Sequence, residues 1–108
     1  MKIANPTFMA TEEILWLKAD GTEVLIQALI GIPYKSGNAW ACPAALIGVD
    51  DRYVDLIGES SLQSLSIALR LIRQRLGHLL DSGEKLAYPD DKDGRWDMKS
   101  LDVVFGKI

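Results

Sequence analysis

The sequence predicts an α+β fold in which one long helix packs on one face of an antiparallel sheet. The helix is predicted by apolar residues that recur at helical spacing between Ser60-x-x-Gln63, a capping-box pattern, and Gly83, a left-handed stop. The sheet is predicted by the short stretches of strand-forming residues that precede it, each bounded by turn residues. We expect a four-stranded meander, with a fifth strand as the alternative, followed by the helix and a short C-terminal segment.

Length and composition predict a single domain. The chain has 108 residues, of which 48% are hydrophobic and 25% are charged, as in ordinary folded proteins. One cysteine is typical of a reducing compartment, and we expect neither a signal peptide nor a membrane-spanning segment. The predicted location is therefore the cytoplasm. The expected organisation is an N-terminal arm (1–11), a β-meander (12–58), the long helix (60–82) and a C-terminal segment (84–108).

Four strands are predicted in the meander. The first covers residues 13–18 and enters a hairpin at Asp20-Gly21, because glycine accepts positive φ. The second covers 23–32, with one wholly apolar face that we expect to meet the helix: Val24, Ile26, Ala28, Ile30 and Ile32. The third covers 39–49, and Pro43 within it predicts an edge position or a bulge. The fourth covers 52–57.

The helix is predicted to face the sheet with a stripe of six apolar residues: Leu62, Leu65, Leu69, Ile72, Leu76 and Leu79. Ile67 and Leu71 then fall on its opposite side, in line with His78. We expect the C-terminal segment, through Trp96, Leu101, Val104 and Phe105, to cover that side. A docking surface for another protein, or for a second copy of the chain, is the alternative.

The C-terminal segment is predicted to hold a short strand over 85–88 and a polar loop over 89–94. A short helix over 98–105, capped by Asp97, follows them.

Residues for catalysis are scarce. His78 is the only histidine and Cys42, in an apolar strand, the only cysteine, which is too few ligands for zinc. The run from Asp90 to Gly94 lacks the ligand spacing of a calcium loop, and no glycine-rich phosphate loop follows a strand. We therefore expect no enzyme activity, no cofactor and no metal. A small enzyme or ligand-binding domain that uses His78 as acid or base is the less favoured alternative.

Charge points to a protein partner. The formal net charge is −3, and nucleic-acid binding requires a basic face, so we expect no nucleic-acid partner. Acidic residues cluster at predicted turns, where they either keep the loops solvated or attract a basic partner. The candidate partner-binding residues are Asp50, Asp51, Asp55, Asp90, Asp91 and Asp93, with Tyr34, Trp96, Ile67 and Leu71 as aromatic and apolar anchors.

The stretch Trp40-Ala41-Cys42-Pro43, with the helix entry Gly58-x-Ser60-x-Leu62-Gln63-x-Leu65, resembles a family of small bacterial domains. The similarity covers about residues 12–90, and it implies no catalytic residue. Small acidic domains of this class resemble the immunity proteins of contact-dependent or secreted toxin systems. The resemblance implies a cognate toxin as partner, and the acidic clusters predict that this toxin is of basic nuclease type. The alternative is self-association as a homodimer or adaptor, through the Pro43-bearing strand or through the face with Ile67 and Leu71.

Overall fold

A computed structural model describes residues 1–107 and contains nine strands and two helices. The elements are β1 (Phe8–Leu17), β2 (Glu23–Gly31), β3 (Tyr34–Ser36), β4 (Ala39–Cys42), β5 (Ala44–Ile47), β6 (Asp51–Arg52), β7 (Leu56–Gly58), α1 (Ser61–Asp81), β8 (Lys85–Tyr88), β9 (Asp91–Arg95) and α2 (Met98–Phe105).

The strands form two antiparallel sheets. The larger has six strands in the order β6-β5-β2-β1-β8-β9, and the smaller has three in the order β3-β4-β7. The α+β class and the long helix on a large antiparallel sheet are confirmed. The prediction of four or five strands in one meander is wrong, because two of the predicted strands are divided and additional short strands form around them.

Pro43 marks the division of the predicted third strand. Residues before it form β4 in the small sheet, and residues after it form β5 in the large sheet. The carbonyl oxygen of Pro43 accepts a hydrogen bond from the Gly31 N–H at 2.8 Å, and a Cβ on Gly31 would lie 2.7 Å from the Pro43 Cβ. The prediction that Pro43 marks an edge position or a bulge is therefore wrong. Pro43 lies where the chain passes from one sheet to the other.

Four further segments differ from the sequence prediction. β1 begins at Phe8, within the predicted arm, and β3 forms between the predicted second and third strands, where no strand was expected. The predicted fourth strand is divided into β6 and β7. The predicted polar loop at 89–94 overlaps β9, a strand without apolar alternation that the period-2 rule does not detect.

The core lies between the large sheet and the helices. Ile26, Ala28 and Ile30 of β2 are buried there and Val24 packs against them, as predicted. The prediction is wrong for Ile32, which lies beyond the end of β2 and is 50% exposed. The buried β2 residues share the core with residues of the neighbouring elements, among them Ile14, Leu46, Ala68, Ile72, Leu76, Leu86, Leu101 and Phe105.

Helix α1 begins and ends as its sequence predicts. The Ser60 side chain accepts a hydrogen bond from the Gln63 N–H at 3.0 Å, although the Gln63 side chain accepts from Glu59 rather than from Ser60. At the other end Gly83 has a φ of 86°, and the N–H groups of Gly83 and Glu84 donate to Leu80 and Leu79 as in a Schellman motif.

The buried stripe of α1 is rotated from the predicted one. Leu62 is 72% exposed, whereas Ser64, Ala68, Ile72 and Leu76 are buried. The start of the helix lies directly against β7, where a Cβ on Gly58 would be 2.6 Å from the Ser64 backbone nitrogen. This close approach favours a small residue, and the Ser64 hydroxyl is satisfied by donating to the Ser61 carbonyl.

Helix α2 has the predicted bounds and the predicted Asp97 cap, which forms a capping box with Ser100. It packs on α1 through a 2.9 Å ion pair between Asp102 and Arg73. Arg73 lies among the buried residues of α1, away from Ile67 and Leu71. The prediction that the C-terminal segment covers Ile67 and Leu71 is therefore wrong.

Candidate partner-binding surfaces

Two of the candidate residues, Tyr34 and Asp55, meet in a buried cluster. Asp55 is only 3% exposed, and its carboxylate accepts hydrogen bonds from the Tyr34 hydroxyl at 2.6 Å, Arg52 at 2.8 Å and the Ile3 N–H at 2.9 Å. Burial alone would raise the pKa of Asp55, but the hydrogen bonds from Tyr34, Arg52 and Ile3 outweigh it and hold the pKa below its ordinary value. Burial of the Tyr34 hydroxyl, together with the hydrogen bond that it donates to Asp55, raises the pKa of Tyr34 to about 12.

Asp50 is also held within the chain. It accepts hydrogen bonds from Arg75 at 2.7 and 3.1 Å and from the Tyr53 hydroxyl at 2.6 Å. The Arg75 hydrogen bond lowers the pKa of Asp50. His78, the residue considered as an acid or base, is exposed beside the Asp50–Arg75 pair. Its Nδ1 lies 3.0 Å from the Arg75 guanidinium. Asp51, by contrast, is exposed and accepts only a 3.4 Å bond from the Gly48 N–H.

Trp96 belongs to the core rather than to the surface. It is 3% exposed and lies between Tyr88 and Phe105, with ring-centroid distances of 5.0 and 6.3 Å. Its indole N–H has no hydrogen-bond partner among residues 1–107.

Ile67 and Leu71 are half-buried on the side of α1 next to β7. They line an open groove together with Leu56, Arg70 and Gln74. The groove brings none of the acidic candidates to these two residues.

The remaining candidates lie at one end of the large sheet. Asp90 lines an open groove with Thr11, Glu12, Glu13, Tyr88 and Pro89, which we name the acidic groove. Asp91 and Asp93 are exposed on the adjoining strand β9, where Asp91 accepts a hydrogen bond from the Asp93 N–H at 3.1 Å. Within the described chain, none of these five carboxylates forms an ion pair.

Glu12 and Glu13 were absent from the candidate residues. Their adjacency in an acidic pair is visible in the sequence, but their proximity to Asp90 depends on the pairing of β1 with β8, which joins positions more than 65 residues apart in sequence, Leu15 with Ala87 among them.

A second, apolar groove adjoins the acidic one. About 200 Å³ in volume, it lies between β1 and α2 and is lined by Ala10, Thr11, Glu12, Ala28, Ile30, Leu69, Val104 and Phe105. Thr11 and Glu12 line both grooves. The two grooves therefore form one continuous concave region along β1.

The face of the large sheet that points away from the helices is also apolar at its centre. The β1–β2 and β2–β5 registers place Leu15 opposite Leu25 and Gln27 opposite Ile47, with Leu29 two residues further along β2. Leu25 is 45% exposed and Leu29 and Ile47 are half-buried, whereas Leu15 is buried although it lies outside the core cluster under the helices. We name Leu15, Leu25, Leu29 and Ile47 the outer patch.

Cys42 is buried, and burial raises the pKa of its thiol to about 11, with the charge of Asp55 as a smaller cause. The thiol is therefore protonated at neutral pH. Nowhere in the described residues do three His, Cys, Asp or Glu side chains converge in a way that would hold a metal ion.

Comparison of the chain with protein-family models, with curated proteins and with solved structures gave no match. Between residues 1 and 107, neither helix has the length and apolar character needed to cross a membrane.

Proposed function

We propose that this protein is a protein-binding module of the immunity class, which neutralises a cognate toxin domain by binding over its active site. The acidic groove is the observation that carries the proposal. Glu12, Glu13 and Asp90 line it, and no cation of residues 1–107 is paired with them. Carboxylates that have no cationic partner within the chain attract a cationic protein, speed its approach and disfavour acidic competitors.

Ion pairs within the chain exclude two of the candidate carboxylates from the proposed binding surface. Asp50 and Asp55 are held by Arg75 and Arg52, so their charges are largely compensated within the chain. The acidic groove, with Asp91 and Asp93 beside it, retains uncompensated charge. We therefore assign partner binding to this end of the sheet.

The partner that fits this charge is a basic toxin domain of nuclease type. Nuclease sites carry cationic side chains because they bind phosphates. An acidic module of net charge −3 is complementary to such a site and repels the nucleic acid that the site would otherwise bind. No nucleic-acid or membrane partner is part of the proposal.

Co-expression with each candidate toxin gene from the genomic neighbourhood tests the proposal. We expect the module to restore growth of cells that express its cognate toxin, and to bind that toxin with a Kd below about 1 μM. Failure to protect cells from any neighbouring toxin would overturn the proposal.

Charge-reversal variants locate the binding surface. The double variant Glu13→Lys/Asp90→Lys is expected to raise the Kd for the toxin about 100-fold, at roughly tenfold for each reversed interfacial charge. The matched control, Glu59→Lys/Asp81→Lys, changes the net charge equally at exposed positions outside the acidic groove. Equal weakening by both double variants would show that net charge, and not the groove, determines binding.

Self-association is a second candidate function, favoured by the outer patch. An apolar patch at the centre of a sheet face, with Leu25 exposed and Leu29 and Ile47 half-buried, is typical of an interface. The Pro43-bearing strand, predicted as a pairing edge, is unsuitable because β4 and β5 each have a strand on both sides. Sedimentation at about 100 μM protein should show dimers that Leu25→Lys converts to monomers. A monomer at that concentration would exclude this function.

A further inference from the structure

We infer that the partner contributes an extended segment, with alternating basic and apolar side chains, that adds as a strand to the open edge of β1. This inference rests on the proposed function, because it specifies how the toxin engages the acidic groove. Strand addition supplies main-chain hydrogen bonds for affinity and alternate side chains for specificity.

The open edge is visible in the pairing of β1. This strand pairs with β2 from Phe8 to Leu17, but with β8 only from Leu15 to Leu17. On the side away from β2, residues 9–13 make no backbone hydrogen bond to any other described residue. Met9, Ala10, Thr11 and Glu13 are exposed, so another chain can approach them.

The open space beside residues 9–13 of β1 is bordered by Pro89 on one side and by α2 on the other. Pro89 follows β8 directly and has no N–H to donate, and the chain then turns into β9. On the helix side, Val104 and Phe105 form the far wall of the apolar groove. A strand laid along residues 9–13 would therefore lie between β1 and α2.

The two grooves define the side chains of that strand. Successive side chains of a strand point to opposite faces of the sheet. Those on the helix side would enter the apolar groove against Ile30, Leu69 and Phe105, which favours small or medium apolar residues. Those near the acidic groove would lie close to Glu13 and Asp90, which favours lysine or arginine.

A second copy of β1 fits this edge poorly. Two β1 strands paired around residues 9–13 would bring the carboxylates of Glu12 and Glu13 of one copy close to those of the other. Like charges at facing positions destabilise a strand pair. The charge on the edge therefore favours a basic segment of another protein.

Backbone amide NMR with a simple probe tests the inference on the full chain. The probe is a capped peptide of about ten residues that alternates lysine and valine, long enough to cover residues 9–13. We expect it to shift the amide signals of residues 9–13 and to slow their hydrogen exchange. Its affinity should fall about tenfold in the Glu13→Lys variant and stay within about twofold in Asp81→Lys.

Two control peptides separate strand addition from simple charge attraction. A glutamate–valine peptide should not bind, and a lysine–valine peptide with alternate backbone nitrogens methylated should lose the exchange protection, because it cannot complete the ladder. Equal binding by the methylated peptide, shifts confined to the outer patch, or protection of residues 9–13 by self-association without any peptide would each overturn the inference.

The toxin complex distinguishes this inference from the function on which it rests. Neutralisation without protection of residues 9–13 in the complex would overturn strand addition and leave the proposed function standing. Strand addition by the peptide, combined with failure to neutralise any toxin, would leave the open edge as a peptide-binding site and overturn the immunity function.

Discussion

The Tyr34 hydroxyl donates a 2.6 Å hydrogen bond to the buried carboxylate of Asp55. The same carboxylate accepts the Ile3 N–H, and the Asp55 N–H donates to the Met1 carbonyl, so the first residues of the chain are attached to this cluster. Asp55 thus joins three segments that are distant in sequence.

Replacing Asp55 should destabilise the fold. Asp55→Asn removes the charge that pairs with Arg52 and leaves an amide N–H₂ among groups that donate hydrogen bonds. We expect a loss of about 2–3 kcal/mol in the free energy of unfolding, measured by urea denaturation. The exposed neighbour provides the control, because Asp51→Asn should change stability by less than about 0.5 kcal/mol. Similar losses in the two variants would contradict the role assigned to Asp55.

Stability should fall in acid because the pKa values of Asp50 and Asp55 are lower in the folded chain than in the unfolded chain. A carboxyl of this kind binds its proton more readily when unfolded, so it stabilises the fold above the unfolded pKa of about 3.9. That contribution is lost as the pH falls below about 4, through the lowered folded pKa values. The unfolding free energy measured from pH 7 to pH 2 should show this decline, and the decline should be shallower in Asp55→Asn. An unchanged slope in the variant would contradict the assignment.

The close approach of β7 and α1 makes Gly58 intolerant of a side chain. A Cβ there would lie 2.6 Å from the Ser64 nitrogen and 3.0 Å from its Cα, both backbone atoms that cannot rotate away. Gly58→Ala should therefore cost more than about 2 kcal/mol of stability. Gly83→Ala is the matched comparison, since it has free space but a φ of +86°, and it should cost about 1 kcal/mol. Thermal unfolding of both variants measures these losses. A smaller loss in Gly58→Ala than in Gly83→Ala would show that α1 can shift away from β7 without cost.

Truncation of two adjacent residues of β2 should destabilise the fold to very different extents. Ile26 is fully buried in the core, whereas Leu25 is 45% exposed in the outer patch. Ile26→Ala should cost about 2–5 kcal/mol, and Leu25→Ala less than about 1 kcal/mol, in the free energy of unfolding of the monomer. A large loss from Leu25→Ala at low protein concentration would show that the outer patch is covered within the chain.

Local signals explain what was predictable from the sequence. Ser60, Gly83 and Asp97 determine helix ends through hydrogen bonds and dihedral angles within a few residues, and both helices lie where these signals predict. The stripe of α1 was less predictable, because its rotation depends on contact between Ser64 and Gly58 of another element.

The candidate site depended on tertiary contacts. Asp55 looks like one more turn carboxylate in the sequence, yet the N-terminal residues and Tyr34 bury it. Conversely, the proximity of Glu13 to Asp90 follows from pairing between β1 and β8, and no local pattern indicates it.

The passage of the chain through Pro43 has a mechanical consequence. β4 and β5 are separated by this single residue and are hydrogen-bonded into different sheets. Neither sheet can therefore unfold without straining the backbone hydrogen bonds of the other. The two sheets should thus melt as one cooperative unit, with matching opening free energies for the Ala41 and Leu46 amides.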